Sequence, residues 1–235
     1  DKIKLTSYPA VVRGGAVWVY MGPRERMPEP PEFEWSRLPA NHRTATKRLQ
    51  ECNWAQAVEG GIDSSHISFL HRNLHELEHR DDEIIHVKYG RKGNPVFDIK
   101  EADYGMLIGA RRTGDDGRYY WRITPFLVPF YTMIPPVLFH AEDSSGQRFD
   151  GHAWVPIDDH NVWTWTFTCQ PHRAMTDEEL ISGTKAGRWG PVDDDYRPIR
   201  NQDNDYLLDR EMQRDENYTG VVGIPNQDAA VQESM

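Results

Sequence analysis

Two cysteines in 235 residues, Cys52 and Cys169, are too few for a disulfide framework, and no one motif around them supplies the ligands of a complete iron–sulfur site. Cys169-Gln170-Pro171-His172 has C-x-x-H spacing, but Cys52-Asn53-Trp54 has no histidine to complete the pair, so both read as reduced, buried thiols. Basic charge is scarce too. There are 27 Lys and Arg against 37 Asp and Glu, a formal net charge of −10, and no basic run. That balance argues against nucleic acid and anionic membrane as partners. No apolar stretch is long enough to cross a bilayer, and the opening DKIKLTSYP lacks a signal-peptide pattern, so a soluble, cytoplasmic protein is expected. Internal repeats and low-complexity tracts are absent, as is the zinc-binding H-E-x-x-H pattern.

What the chain does have is apolar and aromatic material: 38% hydrophobic residues, with eight Trp, ten Tyr and eight Phe, enough for a sizeable core. Residues 5–22 read as two short strands about the turn at Arg13-Gly14-Gly15. Pro23, Pro28, Pro30 and Pro31 then exclude regular structure and mark a linker, dividing the chain into 1–22, a Pro-rich 23–40, and 41–235. From 53 to 79 the pattern is helical, with a break expected at Gly60-Gly61 and a cap from Asp63 or Ser64. Residues 84–170 read as consecutive strands with Gly- and Asp-rich turns, which predicts an antiparallel sheet and an α+β fold. Trp163, Trp165 and Phe167 alternate onto one face, suited to closing over a cavity. A short helix is expected at 177–182 and another at 205–214.

The chemistry concentrates in EGGIDSSHISFLH, residues 59–71, where Asp63, His66 and His71 follow D-x-x-H-x-x-x-x-H. Two imidazoles and a carboxylate among apolar residues are the donor types a ferrous ion takes when coordination positions must stay open for oxygen. Histidines five apart lie about 140° around an ideal helix, so the helix must end or bulge between them. His75 and His79 continue an i, i+4 ladder from His71, but Asn73, Glu76, Glu78 and Arg80 place them on a solvated surface. A further carboxylate ligand is sought in NQDNDYLLDREMQ. Asp205 ranks first because it shares an apolar stripe with Leu208 and Met212, where an unneutralised charge is costly; Asp203 follows, then Asp209.

The segments NWAQAVEGGIDSSHISFLH and NDYLLDREMQ together resemble the α-subunit of Rieske non-heme iron aromatic-ring-hydroxylating oxygenases, in the phthalate-dioxygenase-like branch. The resemblance covers nearly the whole chain. It implies a helix-grip (START/Bet v 1-like) catalytic domain preceded by the last strands of a Rieske domain. It also implies Fe(II) on His66, His71 and Asp205, with Asp63 as the acid linking that site to a neighbouring subunit's 2Fe–2S Rieske cluster. A homotrimer fed by an NADH-dependent flavin and iron–sulfur reductase follows from the same resemblance. Many relatives have Asn where this chain has Gly60. The C-x-H and C-x-x-H cluster motif would fall before Asp1, and relatives continue beyond Met235, so the cluster is expected from a domain outside this chain.

Arg111, Arg112 and Arg122, in the strand region, are candidates for gripping a substrate carboxylate. Phe126, Leu127, Phe130, Tyr131 and Met133 could line an aromatic pocket or serve as ordinary core. The expected function is hydroxylation of an aromatic carboxylate, such as a phthalate-like compound, by a dioxygenase or monooxygenase of aromatic catabolism. The competing readings are a helix-grip ligand-binding protein without redox chemistry and a zinc hydrolase.

Overall fold

The computed structural model describes residues 5–74, 93–114, 117–135, 148–182 and 190–235. Two strands, β1 (Ala10–Arg13) and β2 (Ala16–Val19), form a separate antiparallel hairpin. It turns at Gly14 and Gly15, both at positive φ (68° and 84°), a conformation glycine adopts without steric cost. The proline-rich stretch that follows is not wholly irregular. It carries a helical turn, α1 (Glu34–Arg37), which presents Trp35 to the main sheet.

That sheet has seven strands in the order β3-β9-β8-β7-β6-β5-β4, every pairing antiparallel. They are β3 (Arg43–Gln50), β4 (Val96–Ala102), β5 (Gly105–Thr113), β6 (Tyr119–Leu127), β7 (Tyr131–Ile134), β8 (Phe149–Pro156) and β9 (Val162–Cys169). From β4 to β9 each strand pairs with the next in sequence, whereas β3 crosses the molecule to pair with β9. The expected strand at 84–90, and His75 and His79, lie outside the described residues.

The two sheet faces differ in what covers them. On the inner face, Trp154 and Val162 pack with Ala57 and Val58 of α2 (Trp54–Ile62). On the outer face, Phe167 stacks on Trp35 with ring centroids 3.9 Å apart, beside Ala153, Trp165 and Phe33. Trp163, Trp165 and Phe167 therefore share a face as expected, but it is the face closed by α1. Lys47 Nζ lies 3.8 Å from the centre of the Trp163 ring, a cation–π contact.

Helix α2 starts with a capping box, Asn53 with Gln56, and runs through Gly60-Gly61 instead of breaking there. The glycines serve packing: a Cβ on Gly61 would stand 2.7 Å from Trp154 Cζ2. Helix α3 (Asp177–Ser182) falls at the expected residues. The expected helix over 205–214 does not form as one unit. A 3₁₀ segment at Gln202–Leu207 contains Asp205, Tyr206 and Leu207 at positive φ, and α4 spans only Arg210–Asp215. The last helix, α5 (Ile224–Gln232), was not foreseen; it begins at a proline after Gly223 and packs against α2. No helix among the described residues is long and apolar enough to cross a membrane.

Candidate metal centre

Helix α2 ends at Asp63, whose backbone N–H still bonds Glu59 O. Its side chain then accepts the N–H of Ser65 (2.8 Å) and of His66 (2.9 Å), starting a 3₁₀ turn at His66–Ser68. Phe69 leaves helical geometry (φ −121°, ψ −62°), so the chain breaks between the histidines and His71 can face back towards His66. Their Nε2 atoms are 3.1 Å apart and their rings meet edge to face.

The carboxylate facing them is Asp228 of α5. Its Oδ1 lies 3.2 Å from His71 Nε2 and 3.6 Å from His66 Nε2. Among the described residues, His66, His71 and Asp228 are the one group of three His, Cys, Asp or Glu side chains that could hold a metal ion. Asp205, the partner that the sequence favoured, is not part of this group. Its left-handed backbone removes it from the stripe with Leu208 and Met212, and its side chain is exposed. Asp203 is also exposed and pairs with Arg197 Nη1 at 2.6 Å, which holds its carboxyl below the usual range. Asp209 caps α4 through the N–H groups of Glu211 and Met212. A signal for α5 was present in the Gly-Ile-Pro start of GIPNQDAAVQ, with a single acid among small and amide residues.

The outer edges of both rings are held. His66 Nδ1 lies 3.3 Å from Asp63 Oδ2, and His71 Nδ1 lies 2.7 Å from Gln227 Oε1. Burial opposes the charge on Asp63. Its hydrogen bonds from the His66 ring, the Ser65 and His66 backbone and the Ser65 hydroxyl outweigh that, holding the carboxyl well below its ordinary value.

The three candidate arginines separate by strand parity. Arg112 and Arg122 point to the inner face and are 2% and 7% exposed. Arg112 Nη2 donates to Ser64 O, and Arg122 Nε donates to Ser64 Oγ at 3.2 Å. Arg112 Nε and Nη1 are buried without a hydrogen-bond partner among the described residues. Burial, then the neighbouring charge of Arg122, lowers the pKa of Arg112. Arg111 must point the other way, since adjacent strand residues alternate; its guanidinium lies over the Tyr119 ring at 4.4 Å. Cys52 and Cys169 are free and buried, and burial pushes both thiols up to about 11.

A profile described as LigXa C-terminal domain like matches residues 19–235. The chain belongs to this family of Rieske oxygenase catalytic domains. It is 32% identical over 256 residues to the oxygenase subunit of 3-chlorobenzoate-3,4-dioxygenase from Comamonas testosteroni, covering 100% of this chain and 56% of that protein. To the oxygenase subunit of phthalate 4,5-dioxygenase from Pseudomonas putida it is 31% identical over 246 residues, covering 100% of this chain and 54% of that protein. The chain thus spans about half the length of these relatives. The fold also matches the crystal structure of dicamba monooxygenase bound to 3,6-dichlorosalicylic acid, with a TM-score of 0.54 at 12% identity, over 97% of this chain and 59% of that one. The chain shares the α+β fold of that structure, a seven-stranded antiparallel sheet with helices, and here the fold carries His66 and His71 on one side of the site and α5 on the other.

Proposed function

We propose that this chain is the catalytic part of a Rieske-type oxygenase that holds one iron(II) ion on His66, His71 and Asp228 and hydroxylates an aromatic carboxylate. The observation that carries the reading is the convergence of two imidazole nitrogens and a carboxylate oxygen, 3.1–3.6 Å from one another. Such spacing fits donors of a single ion: atoms bonded at about 2.1 Å stand about 3.0 Å apart at a right angle and about 3.4 Å apart at a tetrahedral one. With two nitrogens and one carboxylate, the donor set leaves positions for substrate oxygen, as ferrous oxygenases require. Bound there, iron supplies dioxygen activation, using electrons from a 2Fe–2S Rieske cluster.

Asp63 fixes the His66 ring and stays ionised. Its side chain is 36% exposed, which supports the reading that it links the site to a neighbouring subunit's cluster. Arg112 and Arg122 bring two buried cations beside Ser64, and Arg112 has donors to spare, so a substrate carboxylate would complete them. The two relatives named above act, by their names, on 3-chlorobenzoate and phthalate, both aromatic carboxylates. A homotrimer in the cytoplasm, served by an NADH-dependent flavin and iron–sulfur reductase, completes the reading.

The experiment is anaerobic titration of the metal-free chain with iron(II) and with zinc, followed by assay of the full oxygenase on benzoates and phthalates. One iron per chain and hydroxylated product support the proposal. Binding of neither metal, or hydrolysis with zinc and no oxygenation, would sink it.

A further inference from the structure

Gln232 is the last residue of α5 and stands four positions after Asp228, so the two share a helix face. It is 7% exposed, a burial that long amides seldom reach without partners. Two contacts hold it. Its Oε1 accepts a hydrogen bond from Gln50 Nε2 at the end of β3, and Gln50 Oε1 accepts one from Thr164 Oγ1 of β9 at 3.1 Å. Its Nε2 lies over Gly60 of α2, where a Cβ would overlap it; the three atoms nearest such a Cβ all belong to Gln232. Glu233 repeats the attachment one residue on, its carboxylate accepting the Glu51 N–H at 2.9 Å and the Tyr206 hydroxyl.

These contacts stand close to the metal centre along both helices that flank it. Gly60 lies three residues before Asp63, which ends α2 and starts the turn carrying His66. Gln232 lies about one turn beyond Asp228. The place where the amide meets Gly60 therefore sets the gap between α2 and α5 one turn from the site. The amide is not free to yield there. Moving its Nε2 aside for a side chain at position 60 would break the bond from Gln50, which is itself 3% exposed and bonded to the sheet.

We infer that Gly60 and Gln232 form an interlock that positions Asp228. The absent side chain at position 60 admits the amide and Gln50 holds it. Helix α5 is thereby seated where Asp228 Oδ1 comes within 3.2 Å of His71 Nε2 and 3.6 Å of His66 Nε2. The consequence for metal binding rests on the iron reading above. A site of this kind needs its donors held within about 0.5 Å of their places, and a shift of α5 that made room for a methyl group at position 60 would exceed that.

The test is a double-mutant cycle on Gly60→Ala and Gln232→Ala. Three readouts are taken: anaerobic iron(II) titration, the visible spectrum of the cobalt(II)-substituted site, and thermal melts of the metal-free protein. Each single variant should bind iron about 10-fold more weakly, or worse, and should shift the cobalt bands, which report the coordinating atoms. The double variant should bind no worse than Gln232→Ala alone, because the added Cβ then meets no amide. Losses that simply add would overturn the inference, as would single variants with wild-type affinity. Lower melting temperatures beside an unchanged cobalt spectrum would also overturn it, since a contact that only stabilises the fold gives that result. If Gly60→Ala does not fold, Gln232→Ala and Gln50→Leu decide: both should weaken iron and shift the bands, and unchanged values count against the interlock. Wild type that binds no metal would remove the iron reading and this inference together, whereas wild-type binding with insensitive variants removes the inference alone.

Discussion

At the scale of single residues, the site divides into what local sequence encodes and what only the fold supplies. His66, His71 and Asp63 lie within nine positions of one another, and their spacing forces the chain break that brings the rings together. Asp228 comes from α5, near the other end of the chain, and no local periodicity connects it to the histidines. Asp205 misled because its apolar neighbours matched a helical stripe, while three successive left-handed residues rule that helix out. Asp228→Ala should therefore abolish most iron binding, and Asp205→Ala should leave it intact; anaerobic titration of the two variants reads this directly. Arg112→Leu removes the buried donors that lack partners. It should weaken benzoate binding by about 2 kcal/mol, the scale of a charged hydrogen bond, and destabilise the ligand-free chain by about 1–3 kcal/mol through loss of the bond to Ser64 O. Calorimetry with benzoate, beside thermal melts, checks both halves. Asp63 gives a pH dependence. Its folded-state pKa lies below the ordinary value, so its contribution to stability is complete at neutral pH and fades as pH falls below the usual carboxylate range. Asp63→Asn should be less stable than wild type at neutral pH, and their denaturation midpoints should converge on acidification.

Among the elements, α2 shows why its two glycines stay helical. Helix propensity counts against Gly60-Gly61, but the tertiary contact decides. The Trp154 ring is 6% exposed and its Nε1 donates to Thr132 Oγ1 at 3.0 Å, so it cannot swing away from a side chain at position 61. Gly61→Ala should cost about 1–3 kcal/mol by overpacking and should weaken iron binding, because α2 carries Asp63 and leads directly into His66. Urea denaturation and iron titration measure the two effects; full stability with the alanine would show that the helix has room to shift. The proline-rich stretch makes a related point. Its prolines exclude a long helix, yet one turn suffices to seat Trp35 on Phe167, a contact visible only once β9 is placed in the sheet.

For the whole molecule, legibility followed contact range. Strands β4, β5, β6, β8 and β9 were readable because each is an alternating or apolar run bounded by turn residues. Strand β3 was not, since its polar alternation, RTATKRLQ, becomes intelligible only through its pairing with β9. That pairing puts Arg48 and Gln50 on the inner face and Lys47 against the outer aromatics. The electron supply is likewise a property beyond any one segment. The chain has two cysteines, both free, buried and raised to about 11, and its described residues offer one metal-binding group, which has no cysteine in it. Cys52-Asn53-Trp54 and Cys169-Gln170-Pro171-His172 do not make up the C-x-H and C-x-x-H pair of a Rieske cluster. Iron chemistry of the proposed kind consumes two electrons for each substrate hydroxylated, and among the described residues no redox group stands ready to take them from a reductase. We therefore expect the 235-residue chain, loaded with iron(II) and supplied with NADH, a flavin and iron–sulfur reductase, oxygen and benzoate or phthalate, to form no hydroxylated product beyond a single turnover. The same mixture should turn over once the chain is part of a protein that carries the Rieske cluster. Product accumulating over many cycles from the chain alone would show that electrons reach the iron without a cluster.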